Sequence, residues 1–324
     1  MIKVFYHPGY AAPLGNHKMP IQKFALVAQA LRSDPTIELV EPAPVELEDL
    51  LRVHDAGYVE AVRTGTPRAL AESQKFPWSP ELFPSVLLTQ GGLLAAAREA
   101  LECGQSAARQ FGAASAALVS GFHHASQHHG EGFCTFNGLI VTLEKLKSES
   151  KIQRAAILDM DLHYGNGTAQ LAETRAWLSV VSLYGNDYLE NTAYRDITVL
   201  KHQDGLNHQS AALPAGCDGA TQLRILEENL PRLLAPGKPD LLLYQAGADP
   251  YFEDPYSPLS LTQEDLKGRD LRVFRFALEN KIPIAWVLAG GYTQDISKIV
   301  QIHVNTFHAW QEAVHLYGEA PFAP

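Results

Sequence analysis

The chain has 324 residues, 46% hydrophobic and 19% charged, the balance of a compact soluble protein and long enough for one large α/β domain or two smaller ones. Its net charge of −10 argues against sequence-independent DNA binding, which needs a basic surface to release counterions, and suits a cationic partner better. No run approaches the ~20 consecutive apolar residues of a membrane span, and three cysteines without CxxC spacing argue against a disulfide framework or a cysteine-rich zinc site.

Residues 1–8 read as a short strand running into a turn. They lack the long apolar core of a secretory signal, so the cytoplasm is the expected address. Residues 19–31 have helical spacing, with Ile21, Phe24, Leu26, Val27 and Leu31 available for one face. Residues 87–101, rich in Ala and Leu, form a second helix. An apolar strand at 116–120, a helix at 139–146 and strands at 155–159 and 177–183 follow. A helix at 223–234, a strand at 241–244, a helix at 261–278 and a strand at 283–288 complete the series. Largely apolar runs of strand length are those of strands covered on both faces. Their alternation with helices predicts an α/β fold: a central, mainly parallel sheet with helices on both faces. No repeat, low-complexity tract or linker interrupts 1–324, which reads as one domain.

Ligands bind such sheets beyond the carboxyl ends of the strands, and polar clusters follow four of the apolar runs. The first, Ser120 to Ala125, contains His123 and His124. Adjacent histidines need partners for several ring nitrogens; one could serve as a general base, and a metal-ligand pair is the rival reading. The second runs from Leu158 to Thr168. Alternation along an extended segment puts Asp159, Asp161 and His163 on one side, a costly convergence without a cation. A capped strand end with a glycine turn is the plainer reading of that segment alone. In the third, Tyr244 to Pro250, Asp249 could add a further ligand. An Asp-His-Asp set with open positions suits catalytic Zn²⁺, and its oxygen content leaves Fe²⁺ or Co²⁺ open. In the fourth, Gly290 and Gly291 turn the backbone and place Tyr292 as a candidate oxyanion donor. His128 and His129, in a polar stretch, read as loop residues.

Taken together, in this order, the clusters resemble the signature of the histone deacetylase superfamily. They match its His-His pair (His123-His124), Gly-Phe-Cys (Gly132-Phe133-Cys134), Asp-x-Asp-x-His-x-Gly-Asn-Gly (Asp159 to Gly167), Ala-Gly-x-Asp (Ala246 to Asp249) and Gly-Gly-Tyr. Segments such as His17-Lys18-Met19-Pro20 and Phe76-Pro77-Trp78-Ser79-Pro80 are similar to the class IV branch and its bacterial relatives. The resemblance implies an arginase-like α/β fold and a zinc-dependent hydrolase that removes an acetyl or other acyl group from an acylated lysine in a protein or peptide. Asp161, His163 and Asp249 match the zinc ligands, His124 the general base and acid, and His123 its partner. Tyr292 matches the residue that polarises the scissile carbonyl. Asp159 and Asn166 match the partners of His123 and His124, and Phe133 a wall of the substrate tunnel. Asp159, Asp161, His163, Ser182 and Leu183 match a structural K⁺ or Na⁺ site.

The sequence departs from the family pattern at Tyr164, usually His or Gln, and in Glu253 to Leu259, which lacks the usual glycine. Residues 184–212 are hard to match and contain Tyr188 and Tyr194, either of which could form the opposite tunnel wall, so that wall is left unassigned. Small acetylated amines such as acetylpolyamines are the rival substrates, and a homo-oligomer is left open. A two-manganese ureohydrolase ranks low because it needs more Asp and His ligands. A non-catalytic acyl-lysine-binding protein ranks low because the catalytic set is intact.

Overall fold

In a computed structural model, which describes residues 1–15, 17–105, 113–186 and 204–319, the apolar runs become the middle of one eight-stranded sheet. Its strands are β1 (Ile2–Phe5), β2 (Ile37–Val40), β3 (Ala114–Ala117), β4 (Ala155–Asp159), β5 (Leu178–Tyr184), β6 (His208–Ala212), β7 (Leu241–Gln245) and β8 (Ile284–Val287). They lie in the order β2-β1-β3-β8-β7-β4-β5-β6, and every neighbouring pair is parallel. Every residue of β3, β4, β7 and β8 is buried, so both faces of these central strands are covered. That is why they read as unbroken apolar runs. The edge strands β2 and β6 are half-exposed or polar and carry no such signal.

The described helices are α1 (Lys23–Leu31), α2 (Leu47–Leu51), α3 (Ala56–Thr64), α4 (Arg68–Ala71), α5 (Leu82–Gln105), α6 (Gly138–Ser148), α7 (Asn166–Ala172), α8 (Gly219–Asn229), α9 (Gln263–Glu279) and α10 (Ile296–Glu319). Caps move several boundaries from those expected. α8 starts at Gly219 because the Asp218 carboxylate accepts the Thr221 N–H at 2.8 Å. Its expected continuation to residue 234 tightens into a 3₁₀ turn at Leu230–Leu234, since Pro231 has no N–H to continue an α-helix. α9 starts at Gln263, behind a reciprocal cap between Thr262 and Asp265. Among the described residues, no helix is long and apolar enough to cross a membrane.

Trp286 of β8 packs against Phe274 of α9 and against Phe307 and Trp310 of α10, while α5 runs along β1, β3 and β8. Beneath this aromatic layer lies a buried polar knot. Arg269 Nε donates to Asp270 Oδ1 at 2.8 Å, and the Tyr244 and Thr306 hydroxyls donate to the same carboxylate at 2.5 and 2.6 Å. Arg269 Nη1 reaches the carbonyls of Gly247 (2.9 Å) and Met160 (3.3 Å), in the segments that leave β7 and β4. Asp270→Ala would leave this arginine charged, buried and without its carboxylate. Urea unfolding is expected to show a loss of about 3–5 kcal/mol, and a loss below ~1 kcal/mol would deny the knot its structural weight.

The sheet order itself builds the site. β3, β8, β7 and β4 are consecutive neighbours, so the histidine pair, Gly290-Gly291-Tyr292, Asp249 and Asp161/His163 emerge side by side at one edge.

Candidate active site

Asp161 and His163, just past β4, meet Asp249, just past β7. One donor atom from each lies within 4.8 Å of the others, and all three residues are buried. His163 Nδ1 is 3.1 Å from Asp161 Oδ1 and 3.1 Å from Asp249 Oδ2. Burial, and then the Asp161 charge, raise the Asp249 carboxyl to about 6. Burial alone would depress His163, but Asp161 and Asp249 hold its pKa well above the ordinary histidine value. Two carboxylates forced together without water are compensated best by a cation. Two oxygens and one nitrogen with room for further ligands fit Zn²⁺, Fe²⁺ or Co²⁺.

Backbone N–H groups aim the carboxylates. Gly290 N–H donates to Asp161 Oδ2 at 2.7 Å, and Leu162 N–H donates to Asp249 Oδ1 at 3.0 Å. Position 290 must be glycine: a Cβ there would sit 2.0 Å from Asp249 Oδ2. Fully buried Lys23 of α1 holds the same turn by donating to Ala289 O at 2.5 Å.

The segment after β3 presents the histidine pair. His123 Nδ1 is 2.7 Å from Asp159 Oδ2, and His124 Nδ1 is 2.6 Å from Asn166 Oδ1, at the start of α7. Burial works against a charged His123, but Asp159 and Asp161 outweigh it and raise its pKa. At His124 the balance falls the other way, because Nδ1 meets a neutral amide. Burial, then His123 and His163, push its pKa well below the usual histidine value. One imidazole is therefore disposed to carry a proton and its neighbour to stay neutral.

Tyr292 lies opposite, its ring 6.1 Å from that of His163. Burial and the charges of Asp161 and Asp249 raise its pKa far above the tyrosine norm, so the phenol keeps its proton as a donor. Its backbone N–H donates to Asp254 Oδ2 at 2.7 Å. Asp254 Oδ1 accepts the Tyr256 N–H at 3.1 Å, so one buried carboxylate fixes both tyrosine segments. A narrow cavity leads to this point past Phe133, with His123, His124, Asp161 and Tyr292 in its lining. Phe133 stacks on Phe76 with centroids 5.8 Å apart. The Tyr256 ring lies 5.3 Å from that of Tyr292 and 6.0 Å from that of His163. Phe122, Phe133 and Ala289 all take left-handed backbone here, the strain that functional sites collect.

Thus the structure gathers His123, His124, Asp159, Asp161, His163, Asn166, Asp249, Tyr292 and Phe133 into one site. Ser182 and Leu183 lie on β5 beside β4, with Ser182 paired in register to Asp159; its buried Oγ has no hydrogen-bond partner among the described residues. Tyr164 meets Tyr184 and His208 edge to face. Tyr188 and Tyr194, the candidates for the opposite wall, fall outside the described residues. Tyr256 takes a flanking position instead, from the segment singled out for its missing glycine. Sequence reasoning missed Lys23, Glu131, Asp254 and Tyr256. Only Lys23 left a readable mark: it falls four and eight residues before Val27 and Leu31, on the apolar stripe of α1.

The family described as the histone deacetylase domain matches residues 17–307. The chain belongs to this family. It is 30% identical to an uncharacterised protein of Picosynechococcus over 93% of this chain and 95% of that one. It is 27% identical to histone deacetylase 2 of Arabidopsis thaliana, over 88% of this chain and 72% of that protein. Its fold matches the crystal structure of an acetylpolyamine aminohydrolase from Burkholderia pseudomallei with a TM-score of 0.74 at 19% identity, covering 96% of this chain and 98% of the other. The fold is therefore the α/β architecture of the deacetylases, here built on a fully parallel sheet.

Proposed function

We propose that this chain is a metal-dependent amide hydrolase that removes an acetyl or other acyl group from an acylated lysine side chain. The observation that carries the proposal is the placement of a neutral, oriented His124 beside the Asp161-His163-Asp249 cluster, in a cavity whose lining includes both His124 and Tyr292. Those three residues would hold the ion, with Zn²⁺ proposed first. When bound, it supplies Lewis acidity toward the acyl carbonyl and lowers the pKa of water.

The chain's own groups account for the rest. Asn166 accepts from His124 Nδ1 and leaves Nε2 to take a proton from water and later return it to the departing amine. His123, held by Asp159, adds positive charge where negative charge develops. The protonated Tyr292 phenol donates to the forming oxyanion. Phe133 and Tyr256 exclude bulk water, which strengthens each of these polar contacts. Ser182 and Leu183, with Asp159, Asp161 and His163, are proposed to hold a structural K⁺ or Na⁺; the unpartnered Ser182 Oγ supports it.

A second reading, hydrolysis of small acetylated amines, is favoured by the fold shared with an acetylpolyamine aminohydrolase. Hydrolysis of a panel of acylated-lysine peptides and acetylpolyamines by the cation-loaded protein decides between them. Tyr292→Phe is expected to lower kcat on the best substrate by about 10²–10³-fold, with KM little changed. Wild-type protein inert toward the whole panel would sink the proposal.

A further inference from the structure

We infer that Glu131 is a positioning residue of this site: its carboxylate sets which way round the Asn166 amide lies, and thereby the tautomer of His124. Two short hydrogen bonds in series carry the inference. Asn166 Nδ2 donates to Glu131 Oε2 at 2.7 Å, and Asn166 Oδ1 lies 2.6 Å from His124 Nδ1. An asparagine amide can present either its oxygen or its NH₂ to a neighbour, and shape barely separates the two. A carboxylate does separate them. It accepts without donating, so it takes the NH₂ and leaves the oxygen for the histidine. That oxygen can accept only from a protonated Nδ1, which puts the imidazole lone pair on Nε2. A flipped amide would donate to Nδ1 and leave the proton on Nε2, the tautomer that cannot take another there.

Glu131 is itself fixed. Its N–H donates to Cys134 O at 3.1 Å, and Cys134 N–H donates back to Glu131 O at 2.7 Å. The turn between them holds Gly132 and Phe133 at positive φ. One face of that turn offers Phe133 to the cavity and the other offers Glu131 to Asn166, so a single short segment sets both the wall and the histidine.

Nothing in the tautomer depends on the reaction, although its consequence for turnover rests on the deacylase reading above. The test is ¹⁵N NMR of histidine-labelled, cation-free protein, with the His124 resonances assigned by difference against a His124 variant. It is run on the wild type, Glu131→Ala and Glu131→Gln, and steady-state kinetics follow on the cation-loaded proteins. The wild type should show His124 protonated at Nδ1 only. A glutamine amide, like that of Asn166, can present either its oxygen or its NH₂, so Glu131→Gln keeps the shape without the acceptor-only chemistry and, like Glu131→Ala, should show protonation at Nε2 or an exchanging mixture. Both variants should also lose about 10–100-fold in kcat with KM within about threefold. A wild-type tautomer in either variant overturns the inference. The expected tautomer changes in a protein that turns over no acylated substrate would uphold it and remove the deacylase reading instead.

Discussion

Replacing His124 with alanine is expected to lower kcat by about 10²–10⁴-fold on the best acylated substrate, with KM little altered. The size follows from how much the site invests in this one ring. His124 is 3% exposed, fixed through Nδ1 by Asn166 at 2.6 Å, and held neutral by burial and then by the charges of His123 and His163. Such a group is neutral at neutral pH, with a lone pair available to the attacking water, and, once charged, sheds its proton readily to a leaving amine. His123 cannot replace it, because Asp159 occupies its Nδ1 at 2.7 Å and, with Asp161, favours the protonated ring. His123→Ala should therefore cost less than His124→Ala. Initial rates on a peptide substrate, separated into kcat and KM, give the comparison. A His124→Ala enzyme keeping more than about a tenth of wild-type kcat would remove this ring from the proton-transfer step.

What could be read from the sequence divides along a physical line. β4, β7 and β8 are buried on both faces, so their runs are apolar without interruption and show themselves. β2 and β6 close the sheet at its edges, where His208-Gln209-Ser210 serves as well as valine would. The ligand and histidine motifs were legible because each directly follows such a run, and their order matches that of a known family. Their supports were not. Glu131 meets Asn166 across 35 residues and Asp254 meets Tyr292 across 38, and no local spacing encodes either contact. A carboxylate in a loop reads as solvated until the fold brings a buried N–H to it, as it does for Asp254. The helix expected at 223–234 ended early for a local reason that was legible: Pro231.

Removing the bound cation is expected to take turnover to background, and adding Zn²⁺, Fe²⁺ or Co²⁺ back is expected to restore it. Binding should also carry a protonic signature whose sign is fixed by the ligands. In the cation-free protein Asp161 and Asp249 hold the His163 pKa well above the ordinary histidine value, and burial raises the Asp249 carboxyl to about 6, so the empty cluster favours bound protons. Coordination needs the imidazole lone pair and the carboxylate anion, so ion entry must release protons rather than take them up. Affinity therefore climbs with pH until His163 is neutral on its own, and drops faster once pH passes below about 6, where Asp249 protonates too. Titration calorimetry in two buffers of different ionisation enthalpy measures the proton count directly. The same binding should stabilise the fold by about 2.7 kcal/mol at a free ion concentration 100 times Kd, seen as a rise in Tm. Asp249→Ala should abolish both signals. Ion binding at pH 7 without proton release would place the ion away from His163, and turnover that survived thorough chelation would leave the cluster without the role its geometry suggests.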